Sequence, residues 1–63
     1  MKPSPAQKKL LKKLPQRRAE IERAITRNGR LRKTYLSIQK HEWAKWNETL
    51  DELQITFDGA LLV

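Results

Sequence analysis

The chain has 63 residues, 38% hydrophobic and 33% charged, with fourteen Lys/Arg against seven Asp/Glu for a net charge of +7. That length allows one small domain, marginal on its own unless its helices stack well or a second copy helps. The absence of cysteine and the single histidine exclude disulfides, a Cys zinc site and a His-cluster metal site, and no apolar run is long enough to cross a membrane.

The charge is unevenly spread. Residues 1–33 hold twelve Lys/Arg and two Glu, a net +10, whereas residues 34–63 hold two Lys and five Asp/Glu, a net −3. Such asymmetry points to a polyanionic partner for the basic half. The opening MKPSPAQKK lacks the apolar core of a secretory signal, so a cytoplasmic location is the default expectation. Residues 1–4 are expected to be disordered, 5–53 to form a basic helical domain and 54–63 to form a C-terminal hairpin or tail.

A first helix starts at Ser4. Its hydroxyl suits an N-cap, Pro5 suits the first helical position, and Gln7 completes a capping box. Leu10, Leu11 and Leu14 make a narrow apolar stripe among Lys8, Lys9, Lys12 and Lys13. The pattern resembles a membrane-surface helix, but three leucines are too few to anchor it. Pro15 ends or kinks this helix and can open the next, PQRRAEIERAIT. There Ile21, Ala24 and Ile25 form the buried face, while Arg17, Arg18, Arg23 and Arg27 project elsewhere. Glu20 with Arg23, and Glu22 with Arg18, stand at helical pair spacing. Asn28-Gly29 stops the helix, both residues tolerating the left-handed conformation of a C-cap.

From Arg30 to Leu53 two readings compete. Leu36, Trp43, Trp46, Leu50 and Leu53 follow an a/d-like spacing broken at Gln39, which favours one helix over 30–53 folded back as an αα-hairpin. The alternative is a helix-turn-helix whose turn is Leu36-Ser37-Ile38. Its recognition helix would run from Gln39 to Leu53, offering Gln39, Lys40, His41 and Lys45 to base edges. Trp43 and Trp46 are expected in the core rather than stacked on bases. Beyond them, the Asp58-Gly59 pair between QITF and ALLV signals a two-residue β-hairpin.

The expected class is therefore all-α, three to four short helices with a C-terminal β-hairpin as an addition. The phosphate-binding set is Lys8, Lys9, Lys12, Lys13, Arg17, Arg18, Arg23 and Arg27, continued by Arg30, Arg32 and Lys33. The expected function is nucleic-acid binding, DNA before RNA, in a regulator without cofactor or metal. A homodimer would form through Ile55, Phe57 and Leu61–Val63. The competing reading is a small adaptor or inhibitor whose cationic arm occupies an acidic surface of a larger protein, such as a nucleic-acid-processing enzyme. No catalysis is expected: His41 and Glu42 are adjacent and do not face one another on a helix, and neither a nucleophile nor a phosphate loop accompanies them.

Overall fold

A computed structural model describes residues 2–63. Of the tail expected at 1–4, Met1 lies outside the described residues, and Ser4 caps the first helix. The elements run α1 (Pro5–Leu11), β1 (Gln16–Arg17), α2 (Arg18–Arg27), α3 (Leu31–Lys40), β2 (Ala44–Asn47), β3 (Glu52–Ile55) and α4 (Phe57–Ala60). The strands form one antiparallel sheet in the order β1-β3-β2. The class is thus mixed helix and sheet, and the all-α expectation is overturned.

The first helix forms as the sequence predicts. Ser4 Oγ accepts from the Gln7 amide, the Gln7 side chain accepts from the Ser4 amide, and Pro5 occupies the first turn. Leu10 and Leu11 are buried, and the Leu14–Pro15 peptide bond is cis. Pro15 opens no helix; it precedes β1, and α2 begins at Arg18.

The helix over 30–53 does not exist, nor does a recognition helix over Gln39–Leu53. The chain leaves α3 at His41, and Glu42 turns it with a φ of 61°. Two strands follow, joined by the loop 48–51. Their pairing is Ala44↔Ile55, Lys45↔Gln54, Trp46↔Leu53 and Asn47↔Glu52. Trp46 and Leu53 stand seven apart because the hairpin folds symmetrically between them, not because two helical turns do. Ala44, Trp46, Leu53 and Ile55 alternate with polar residues, which is the strand period. Asp51, with a φ of 50°, closes the loop, and Asn47 Oδ1 accepts from the Leu50 amide.

The Asp58-Gly59 hairpin is also absent, because those residues lie inside α4. Thr56 takes the N-cap, its hydroxyl oxygen accepting from the Gly59 amide at 3.0 Å. The Thr56 amide donates to the Trp43 carbonyl and its hydroxyl to the Glu42 carbonyl, so the cap is tied to the segment entering β2 rather than to a new strand.

One core joins the layers. Leu10 and Leu11 of α1, Ile21 of α2, Tyr35 and Ile38 of α3, Trp43, Ala44 and Leu53 are its buried members. Leu11, Ile38 and Leu53 are the largest fully enclosed side chains. Trp43 is a core residue as expected, stacked on His41 with ring centroids 4.4 Å apart. Trp46 is half-buried and lies beneath the Arg18 guanidinium, 4.5 Å from the ring centroid.

Tyr35 links α3 to the sheet. Its hydroxyl donates to Gln16 Oε1 of β1 at 2.7 Å. Burial, helped by the nearby Glu20 charge, pushes the phenol above its ordinary value. A raised phenol favours the neutral form in the folded state, so its contribution is complete below the unfolded value and is lost as pH rises through the folded one. Tyr35→Phe is therefore expected to lower stability by about 1 kcal/mol at neutral pH. It should also flatten the alkaline fall in melting temperature above about pH 10. Thermal melts of both proteins across that range check the prediction, and parallel curves would refute it.

Candidate nucleic-acid interface

Two ten-residue helices, α2 and α3, are joined by Asn28, Gly29 and Arg30. This short glycine-containing turn joins two consecutive helices. It lies one helix earlier in the chain than the turn expected at Leu36–Ile38, which instead falls inside α3. The turn needs no left-handed residue. Asn28 ends α2 in an extended conformation, and its Oδ1 accepts from the Arg30 amide at 3.1 Å. The Leu31 amide then donates to the Asn28 carbonyl, and the Arg32 amide to the Gly29 carbonyl, starting α3.

The sequence LRKTYLSIQK gives α3 two different sides. Leu31, Tyr35 and Ile38 face inward at the i, i+4, i+7 spacing of a buried stripe. Gln7 of α1 donates to the Ser37 hydroxyl and closes one flank. Arg32, Lys33, Leu36, Gln39 and Lys40 are exposed. No carboxylate lies in α3 itself, although Glu22 and Glu42 border clefts with Gln39 near its end. Gln39, whose amide donates back to the Tyr35 carbonyl, is the exposed polar member.

The remaining cations are distributed around this helix. Lys8 and Lys9 are exposed on α1, and Lys12 and Lys13 on the turn after it. Lys9 and Lys13 border a cleft with Asn28 and Leu31, which brings them beside the start of α3. Arg17 is exposed on β1. Arg23 and Arg27 share the outer side of α2 with Glu22, so that side is mixed in charge. Arg18 has a structural partner. Its Nε donates to Asp51 Oδ1 at 3.0 Å, and its amide donates to the Asp51 carbonyl, which pins the hairpin to the start of α2. This is the ion pair found among the described residues; the Glu20–Arg23 and Glu22–Arg18 pairs do not form.

Of the four residues expected to read bases, Gln39 and Lys40 end α3, whereas His41 stacks on Trp43 and Lys45 lies on β2 opposite Gln54. Sequence reasoning passed over Leu36, treating it as a seam residue; it is 61% exposed in the middle of the basic side. The hairpin adds Glu48, Asp51 and Glu52, which carry the charge of a phosphate rather than its complement. In the C-terminal segment Ile55 packs on the core, while Phe57 and Leu61 are exposed. Among the described residues no helix is long and apolar enough to cross a membrane, and no group of His, Cys, Asp and Glu is placed to hold a metal ion.

Comparison with protein-family models, curated proteins and solved structures finds no match for this chain.

Proposed function

We propose that the protein binds double-stranded DNA, with the exposed side of α3 in the major groove. The observation that supports this is α3, which carries Arg32, Lys33, Gln39 and Lys40 exposed and no acidic residue. A helix is about 10–12 Å across with its side chains, and the major groove is about 12 Å wide. At about 1.5 Å per residue, α3 is long enough to follow the groove for several base steps. Arg and Lys are suited to guanine edges, Gln to adenine edges, and all the cations to phosphate oxygens. Lys9 and Lys13 border the cleft beside Asn28 and Leu31, and Arg30 immediately precedes α3, where these cations suit the flanking backbone. The acidic hairpin would be repelled by phosphates, which confines binding to the helical side.

Fluorescence anisotropy with labelled duplex DNA and single-stranded RNA, across a salt series, tests the reading. Wild type is expected to prefer the duplex. The triple variant Arg32→Ala/Lys33→Ala/Lys40→Ala should lose more than tenfold in affinity near physiological salt and about three units of the log–log salt slope. Arg23→Ala, on the mixed-charge side of α2, should change affinity much less. Equal dependence on Arg23, or equal binding of single-stranded RNA, would sink the model. A protein partner for the cationic surface would then be the reading to pursue.

A further inference from the structure

Leu36 is the apolar exception on the outer side of α3, and its position is central. At about 100° of rotation per residue, Arg32 and Gln39 lie about 40–60° to one side of it, and Lys33 and Lys40 about as far to the other. A leucine left 61% exposed between flanking basic and polar side chains stands outside the core cluster of the described residues. A wholly apolar groove on another protein would cover Leu36 but would also strip water from the lysines and arginine beside it, without countercharge. The major groove supplies both needs. Phosphate ridges line its two edges, and the thymine C5-methyl is the apolar group on its floor.

We propose that Leu36 is a specificity residue that packs against thymine methyl groups, with Arg32 and Lys33 holding the backbones on either side. This rests on the duplex-binding reading and adds to it a base class, 5-methylpyrimidine, and the residue that selects it. Substitution of Leu36 should leave the fold intact, since the side chain takes no part in the core and alanine is a better helix former.

The test compares alternating A–T duplexes with A–U duplexes, which differ only in the methyl group. G–C duplexes with and without 5-methylcytosine provide the converse. Wild type is expected to bind each methylated duplex about three- to fivefold more tightly than its unmethylated counterpart, the worth of one buried methyl contact. Leu36→Ala should bind all four with the same salt slope as wild type and no methyl preference. Salt-dependent duplex binding by wild type without methyl preference would overturn the role of Leu36 and leave the duplex reading standing. A methyl preference that persists in Leu36→Ala would likewise overturn it. Absence of duplex binding by wild type would overturn both.

Discussion

Leu53→Ala is expected to abolish cooperative folding near room temperature. Leu53 is fully enclosed and lies on the central strand, opposite Gln16 of β1 on one side and Trp46 of β2 on the other. Both halves of the sheet therefore meet at this residue, which shares one buried cluster with Tyr35 and Ile38 of α3. Truncating a buried leucine costs about 2–5 kcal/mol, because the cavity collapses only in part. A domain of this size rarely has more than about 3–5 kcal/mol of stability. The mutation consumes most or all of that. Circular dichroism during heating would show a broad, shallow change in place of a sigmoid. A sharp transition within about 1 kcal/mol of wild type would mean that Leu53 is not the hub of the core.

Gly59→Ala is the second large effect, and its sign is informative. Gly59 is inside α4, where alanine normally favours a helix by about 1 kcal/mol. Its φ is not positive, so backbone conformation raises no objection. Space does. A Cβ here would land on the Trp43 carbonyl oxygen and within 2.9 Å of Ile55 Cγ1. That carbonyl is the acceptor for the Thr56 amide, so backing away breaks the bond that joins the segment entering β2 to the cap of α4. The expected result is a loss of about 1–3 kcal/mol, the usual range for overpacking. Urea titration followed by tryptophan fluorescence reads it directly, with Trp43 at the point of strain. A gain in stability would mean that α4 does not dock against Trp43.

These two residues also mark how far the sequence could be read. Local signals that act within one or two turns were legible: the Ser4–Gln7 box, the stop at Asn28, the inward face of Ile21, Ala24 and Ile25. The failures came where two local rules gave the same spacing. Trp46 and Leu53 satisfy a heptad, yet they also satisfy a hairpin folded about residues 49 and 50, and only long-range pairing with β1 decides between them. The break after α3 rests on a left-handed Glu42, a residue that advertises no turn. At the C-terminus Asp58-Gly59 has the chemistry of a tight turn, but Thr56 caps a helix and the small size of Gly59, rather than its flexibility, is what the fold uses. The candidate site was legible as composition and not as geometry. Every cation was visible, but the helix that carries Arg32, Lys33 and Lys40 without a carboxylate of its own emerges only once the chain turns at Asn28.

Because α3 turns Leu31, Tyr35 and Ile38 to the core and Arg32, Lys33, Leu36 and Lys40 to solvent, the proposed duplex binding would write folding and recognition in separate letters of one ten-residue word. Changes among the outward letters carry little thermodynamic penalty, so a lineage can exchange them freely while the inward ones stay fixed. The helix is in that sense an evolvable cassette: a library randomised at those four positions should yield mostly folded proteins that differ in what they bind.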